Sequence, residues 1–445
     1  MPEKTNKMAG FAVKDYFNSS SMPQRLAPNY RRLFSLIKSR HISLLGTVLV
    51  LAVLTSCGGG GTSATSTSPT TSTGSTTPTS SVSNEVPAAV NLGPTDNDAD
   101  MLFISVTVCV PGTSTCQTIP NVQVDTGSEG LRILSSALSI SLPSMTQSEN
   151  PLAECISFAD NSYLWGPMAT ADIEMAGEKA SSVPVQIVGD SNFPGVPASC
   201  NTGGPNDGSL SELGAEGLIG LGVFQQDCGS ACSAAVSEVP DMYYTCDTSG
   251  ICSVASVSLT DQLQNPVWMF PQDNNGLLIT LPTIASTGAA TASGSVIFGI
   301  GTQSDNALGS AKVYTTDDDG NFSTTYQGTA YTGSFIDSGS NGLYFLSAST
   351  LGIPECSDAP GFYCPTASVS YTATNTGTNS ASGSVTFSID NADTLFNTGD
   401  AAFNDLGGDN PGSFDWGLPF FFGRSVFIGI QGQTSSGGTG PYWAY

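Results

Sequence analysis

Short apolar runs separated by turn-forming residues dominate the chain from about residue 86 onward. Runs such as 101–110 (MLFISVTVCV), 276–282 (GLLITLP) and 424–430 (RSVFIGI) are rich in the β-branched and aromatic residues typical of strands, and clusters of Gly, Asn, Asp or Pro separate such runs. No long stretch repeats its apolar residues with the period of an amphipathic helix. The pattern predicts an all-β fold of the barrel or sandwich class.

The N-terminal segment has a different pattern. Basic residues precede an apolar run at 44–54, which ends in Thr55-Ser56-Cys57. The run is short for a membrane span and has the layout of a secretory signal. Because 54–57 (LTSC) resembles the lipobox of bacterial lipoproteins, residues 1–57 are predicted to be a lipoprotein signal peptide, with Cys57 lipidated. A plain signal peptide and an anchor helix are the alternatives.

A low-complexity segment follows the predicted lipidation site. Residues 58–85 are dominated by Gly, Ser, Thr and Pro, which cannot bury a core, so this segment is predicted to be a flexible tether. Gly58 rather than Asp after the cysteine resembles outer-membrane sorting. The sequence therefore predicts an exported protein of the bacterial cell envelope, attached to the outer membrane through its N-terminal lipid alone.

Charge and histidine content exclude several kinds of function. The chain has 37 acidic and 12 basic residues, and eight of the basic residues precede Cys57. The remaining acidic surface repels phosphate, which excludes nucleic acid as a partner. Because the single histidine, His41, also lies in the predicted leader, the rest of the chain cannot form a Ser-His-Asp or Cys-His site. Acid–base chemistry would fall to carboxylates.

Ten cysteines follow Cys57, an even number that predicts five disulfides in an exported protein. Sequence alone does not prove their connectivity. Close spacing favours four pairs and leaves a fifth; the five are Cys109–Cys116, Cys228–Cys232, Cys246–Cys252, Cys356–Cys364 and Cys155–Cys200.

An internal repeat brings in the candidate chemistry. Residues 125–135 (DTGSEGLRILS) and 337–347 (DSGSNGLYFLS) are identical at seven positions, and an apolar segment containing glycine follows each copy, at 217–222 (GLIGLG) and 420–423 (FFFG). Two motifs that repeat in the same order indicate two homologous halves.

These residues resemble the catalytic motifs of the pepsin-like aspartic peptidases, over most of residues 100–430. The resemblance implies a bilobal fold of two β-barrel-like lobes, predicted at 86–305 and 306–445, with a central cleft. Residues 217–222 resemble the segment behind the first catalytic loop, 420–423 its partner in the second lobe, and 294–299 the strand that closes the first lobe.

The resemblance also implies a catalytic pair. Asp125 and Asp337 would share a proton and a water, because two adjacent carboxylates cannot both ionise. The loop residues that follow each aspartate would orient the pair and connect the lobes; they are Thr126, Gly127, Ser128, Ser338, Gly339 and Ser340.

The flap hairpin over the cleft is matched by residues 155–177. Phe158 lies at the aligned place of the flap tyrosine, whereas Tyr163 and Trp165 need a shifted register or belong to the core. After the first motif the family usually has Asn and an aromatic residue, where this chain has Gly130 and Arg132. Arg132 is interpreted either as a charge on a surface strand or as a subsite contact.

The hypothesis is an endopeptidase that cleaves a peptide or protein substrate at acidic pH through the Asp125–Asp337 dyad. The alternative is an inactive pepsin-like envelope lipoprotein that binds a protein ligand or has a structural role. No cofactor and no metal are expected. The acidic segment 317–321 (DDDGN) is interpreted as a hairpin turn rather than a Ca²⁺ loop, because it lacks the full order of ligands.

Overall fold

The computed structural model describes residues 83–193, 195–201 and 203–445, and this part of the chain is built mainly of strands. The predicted all-β fold class is confirmed. The strands before residue 300 are β1 (Glu85–Val90), β2 (Leu102–Cys109), β3 (Cys116–Asp125), β4 (Glu129–Leu134), β5 (Thr146–Gln147), β6 (Asn150–Ser157), β7 (Tyr163–Met175), β8 (Glu178–Val188), β9 (Gly217–Leu221), β10 (Tyr243–Cys246), β11 (Cys252–Val254), β12 (Gly276–Thr280) and β13 (Ala292–Phe298).

The later strands are equally short and are separated by turns, as the sequence pattern predicts. They are β14 (Val313–Thr315), β15 (Phe322–Tyr326), β16 (Thr329–Ile336), β17 (Leu343–Leu346), β18 (Val369–Thr376), β19 (Ser382–Ile389), β20 (Gly407–Trp416), β21 (Ser425–Gly429), β22 (Thr434–Ser435), β23 (Gly438–Thr439) and β24 (Tyr442–Ala444). The α-helices of the described residues have only four or five residues: α1 (Leu210–Leu213), α2 (Ala348–Leu351) and α3 (Ala392–Phe396).

The N-terminal lobe contains a closed barrel. Strand β7 pairs with β8, and pairing continues through β4, β9 and β3 to β2, which pairs back with β7. Apolar side chains of these strands, such as Val106, Val122 and Ile219, fill the interior without exposure to solvent. Closure removes the free edges that an open sheet would present.

The same sheet extends beyond the barrel and joins the two halves of the chain. From β2 it continues through β1, β13 and β12 to β21, β24 and β14. Strands from the beginning, middle and end of the described chain therefore form one layer between the lobes. The predicted boundary at residue 305 stays a prediction, because this shared layer belongs to both halves.

The C-terminal lobe is a sheet in the order β17-β20-β16-β15-β18-β19. Its core is aromatic: the Phe345 ring stacks on Phe414 with centroids 5.1 Å apart, and Phe387 meets Trp416 edge-on, also at 5.1 Å. Such ring pairs combine a large buried area with a preferred geometry.

Each lobe places one of the two repeated aspartate loops over a strand that runs behind it. In the first lobe β9 lies between β3 and β4, and Gly220 pairs with Asp125. In the second lobe the end of β20 lies between β16 and β17, where Trp416 pairs with Ile336 and accepts a hydrogen bond from the Asp337 amide at 3.1 Å. The internal repeat thus corresponds to a repeated structure.

The predicted second-lobe partner at 420–423 is wrong. The segment behind the loop is Phe414–Gly417, since a β-carbon on Gly417 would lie 2.6 Å from the carbonyl oxygen of Ser340. Only glycine permits this approach of two backbones. Residues 420 and 421 instead belong to a buried 3-10 helix, and Gly423 follows it with a positive φ of 74°.

All five predicted disulfides are present: Cys109–Cys116, Cys155–Cys200, Cys228–Cys232, Cys246–Cys252 and Cys356–Cys364. Four of them close loops of four to eight residues, as their spacing predicts. The predicted signal peptide, Cys57 and nearly all of the tether lie outside the described residues, and within the described residues no helix is long and apolar enough to span a membrane.

Candidate active site

Each repeated motif folds into a loop that wraps around its own carboxylate. Asp125 ends β3, and its Oδ1 accepts a hydrogen bond from the Gly127 amide at 2.8 Å while its Oδ2 accepts one from the Ser128 hydroxyl. In the second loop, Asp337 accepts from the Gly339 amide at 2.7 Å. These donors fix the position of both carboxyl groups.

The two loops also contact each other's aspartate. The Gly127 amide donates to Asp337 Oδ1 at 3.1 Å as well as to Asp125, so one backbone N–H lies against both carboxyl groups. A β-carbon on Gly127 would lie 2.8 Å from Asp337 Cγ, and one on Gly339 would lie 2.5 Å from Asp125 Oδ1. Both glycines are therefore required for the close approach of the carboxylates.

The residue between aspartate and glycine ties each loop to the opposite lobe. The Thr126 hydroxyl accepts from the Ser338 amide at 2.9 Å and donates to the Ile336 carbonyl at 3.2 Å. The Ser338 hydroxyl donates to the Val124 carbonyl at 2.8 Å. Since Thr126 and Ser338 are both buried, this two-fold set of hydrogen bonds holds the lobes in register.

Proton sharing follows from the geometry. Burial raises the pKa of Asp337 well above its ordinary value, and the nearby charges of Asp125 and then Asp415 raise it further, while the Gly339 amide lowers it. Two carboxyl groups this close retain one proton between them. The site opens toward solvent on one side, where Gly127 is exposed and Asp337 is half-buried.

A third carboxyl group lies next to the pair. Asp415 comes from the strand behind the second loop, and the Ser340 hydroxyl lies 2.8 Å from Asp337 Oδ2 and 2.7 Å from Asp415 Oδ2. In the first lobe the equivalent strand position is Leu218, since Ile219 pairs with Val124 as Trp416 pairs with Ile336. The acid is therefore specific to the second lobe.

A fourth carboxyl group approaches from the first lobe. Glu129 directly follows Ser128, is buried, and accepts a hydrogen bond from the Phe224 amide at 3.1 Å. Burial raises the pKa of Glu129 to about 7; the Phe224 hydrogen bond and the charge of Arg132 oppose this shift, whereas the charge of Asp125 adds to it. The dyad thus lies between acids from both lobes.

Comparison with known proteins gives a family but no curated relative. A family model described as "Protein of unknown function (DUF3443)" matches residues 80–445. The chain belongs to the DUF3443 family. Among solved structures, it is similar to the aspartic proteinase from Irpex lacteus at 15% sequence identity and a TM-score of 0.46, with 81% of this chain and 96% of that chain covered. A search of curated proteins finds no match.

In this DUF3443 chain Arg132 is completely buried, and both interpretations from the sequence are wrong. Its guanidinium donates to Glu154 at 2.7 Å and to the Glu129 carbonyl at 2.9 Å, and lies 3.5 Å from Asp227. Asp227 also accepts the Tyr243 hydroxyl at 2.7 Å. The network joins β4, the strand after the first aspartate loop, to strand β6 of the hairpin.

One guanidinium lies beside two acids in this network. Burial raises the pKa of Asp227 well above its ordinary value, and the charge of Glu154 raises it further, although Arg132 acts in the opposite direction. Arg132 compensates the buried charge and connects three segments through Glu154, Asp227 and the Glu129 carbonyl. Its role is structural.

The hairpin β6–β7 forms as predicted for the flap, with its turn at 158–162. Tyr163 and Trp165 are buried in a cluster with the Cys155–Cys200 disulfide, and the Trp165 indole donates to the Phe193 carbonyl at 3.1 Å. Phe158 is half-buried and packs against a separate apolar cluster. Of the three candidates, Phe158 at the turn is the one left for a flap contact, and that role stays a prediction.

No plausible metal site emerges among the described residues. The two groups with suitably close Cys and carboxylate atoms contain Cys109–Cys116 and Cys356–Cys364, whose sulfurs are engaged in disulfides. Residues 317–321 form a tight turn in which Asp317 Oδ1 accepts the Asn321 amide at 2.8 Å.

Proposed function

We propose that this chain is an exported, lipid-anchored endopeptidase of the aspartic type, with a peptide or protein substrate. The observation that carries the proposal is the crossed contact of the two loops, in which the Gly127 amide donates both to Asp125 and to Asp337. This contact holds two carboxyl groups within reach of one water molecule on the solvent side of the site. The leader sequence and the disulfides support export.

The proposed reaction needs only one shared proton. Asp337 holds the proton, and Asp125 accepts a proton from water as the water oxygen attacks the carbonyl carbon of the scissile peptide bond. Asp337 gives its proton to the carbonyl oxygen, which leaves a tetrahedral diol. Collapse of the diol breaks the C–N bond: the proton on Asp125 passes to the departing amide nitrogen, and one hydroxyl of the diol returns its proton to Asp337 as the carboxylic acid forms.

The test is digestion of an unfolded protein by the full chain across acidic to neutral pH, with peptides identified by mass spectrometry. We expect cleavage by the wild type and a loss of roughly a thousandfold or more in Asp125→Asn and Asp337→Asn. Asp405→Asn is the matched control, because Asp405 is another buried aspartate of the second half, outside the dyad. A wild type that cuts nothing, or an Asp125→Asn variant that cuts equally well, would refute the proposal.

A second candidate is an inactive binding module. Phe158 favours it, because a phenyl ring at the hairpin turn cannot donate a hydrogen bond across the cleft as a tyrosine hydroxyl can. In that case the wild type and Asp125→Asn would bind an unfolded polypeptide with equal affinity and neither would cleave it.

A further inference from the structure

The Ser340 hydroxyl lies between two carboxyl groups and cannot donate to both. Its Oγ is 2.8 Å from Asp337 Oδ2 and 2.7 Å from Asp415 Oδ2, and a serine hydroxyl has a single proton. One of the two contacts therefore requires a proton on a carboxyl group. That proton lies either on Asp337, as the shared proton of the dyad, or on Asp415.

Asp415 is placed to hold a proton of its own. Its side chain is buried, and its Oδ1 has no hydrogen-bond partner in the described part of the chain. An ionised carboxylate would leave an unsolvated charge there, whereas the neutral acid donates to Ser340 through Oδ2. Burial accordingly raises the pKa of Asp415 to about 8; the Ser340 hydrogen bond lowers it and the charge of Asp125 raises it.

Within the described part of the chain, no cation compensates Asp415. Arg132 pairs with Glu154, Lys179 pairs with Asp172, Lys312 donates to the Ser382 carbonyl, and Arg424 donates to the Phe420 carbonyl. These four are the basic residues after Cys57. The charges beside Asp415 are instead those of acids: the charge of Asp125 acts on both Asp415 and Asp337, and the charge of Asp415 acts on Asp337.

We propose that Asp415 is a positioning residue that stores a proton beside the dyad: it donates to Ser340, so that the Ser340 hydroxyl is committed to Asp337. When Asp415 loses this proton, Ser340 faces two carboxylates and a further negative charge lies next to the reacting groups. Asp415 thereby sets the upper pH limit of the site. The catalytic part of this inference rests on the proposed peptidase function.

Two substitutions separate positioning from packing. Asp415→Leu reproduces the first-lobe residue Leu218 and removes the donor, so we expect kcat to fall roughly tenfold at acidic pH, with little change in KM. Asp415→Asn keeps an N–H donor for Ser340 and cannot titrate. It should recover most of the lost kcat and shift the alkaline limit of activity upward. Coincident pH profiles of the Asn variant and the wild type would overturn the inference.

Protonation can be measured without activity, by the infrared absorption of carboxylic acid C=O groups in the full chain. The wild type minus Asp415→Asn difference at neutral pH should contain one acid band that disappears at alkaline pH. Asp318→Asn, in an exposed turn, should give no such band. If the Asn variant does not fold, Ser340→Ala should shift the same band, because the acid loses its hydrogen-bond acceptor.

The two readouts distinguish the two possible failures. If the wild type cleaves no substrate but shows the Asp415 band, the peptidase proposal fails and proton storage stands. If the band is absent at neutral pH, the inference about Asp415 fails even in an active enzyme.

Discussion

Gly127 of the first loop lies directly against Asp337 of the second, so close that a β-carbon on Gly127 would be 2.9 Å from both carboxylate oxygens. A β-carbon in a protein essentially never lies within 3.0 Å of a heavy atom of a residue other than its own or its chain neighbours. Any side chain at position 127 must therefore push the two carboxyl groups apart.

Gly127→Ala should lower kcat roughly a hundredfold, because displacement of reacting groups by a fraction of an ångström is costly in a preorganised site. The measurement is the initial rate of cleavage of an unfolded protein at acidic pH. Gly412→Ala is the matched control, since a β-carbon there meets nothing within 4 Å, and it should retain wild-type activity. Equal rates for the two variants would show that the carboxyl contact is not needed.

The two aspartate loops could be predicted from the sequence because their hydrogen bonds are local. An aspartate that accepts from residues two and three positions later needs the same Asp-x-Gly-Ser order in both lobes, and the repeat displays this order. Disulfides between neighbouring strands were predictable for the same reason.

Asp415 could not be predicted from the sequence, because an acidic residue interrupts the apolar pattern by which the strand behind the loop is recognised. The strand behind a catalytic loop is expected to be apolar before its glycine, and Phe420–Phe422 satisfies this rule better than Asp415-Trp416-Gly417. The pairing of Trp416 with Ile336, and the close approach of Gly417 to the Ser340 carbonyl, show which glycine lies behind the loop. The buried network of Arg132 could not be predicted for another reason: its partners Glu154 and Asp227 lie in segments distant in the sequence, and no local pattern links them to Arg132.

Arg132→Met should destabilise the protein by about 3–5 kcal/mol, because it leaves Glu154 and Asp227 buried without a cation. Urea unfolding followed by tryptophan fluorescence measures the change. Lys179→Met is the control: Lys179 is 38% exposed in its pair with Asp172, so its loss should cost about 1 kcal/mol or less. Similar losses for both variants would contradict the structural role of the buried network.

Removal of the Cys155–Cys200 disulfide should destabilise the protein more than removal of Cys228–Cys232. The first bond closes a loop of 45 residues and the second a loop of four. Loop-closure entropy gives about 4 kcal/mol for the longer and about 2 kcal/mol for the shorter loop. Double Cys→Ala variants and urea unfolding test the order, and a reversed order would show that strain or residual structure dominates over chain entropy.

The raised pKa of Glu129 leads to a specific prediction for the pH dependence of protein stability. Its pKa is raised from 4.5 to about 7 in the folded chain, so folding favours the protonated acid. The contribution of Glu129 is fully favourable below pH 4.5 and is lost as the pH rises to about 7, because the folded state must then release a proton that it binds more tightly than the unfolded state does.

Glu129→Gln should therefore stabilise the protein at pH values above this window and have little effect below it. The glutamine oxygen can still accept the Phe224 amide, while the amide group carries no charge near Asp125. The gain at neutral pH should be on the order of 3 kcal/mol at most. The test is the difference in unfolding free energy between variant and wild type at several pH values. If the difference in unfolding free energy between variant and wild type did not change with pH, the pKa of Glu129 would be the same in the folded and unfolded chains. Glu129 would then be ionised at neutral pH in the folded chain, which would contradict the prediction.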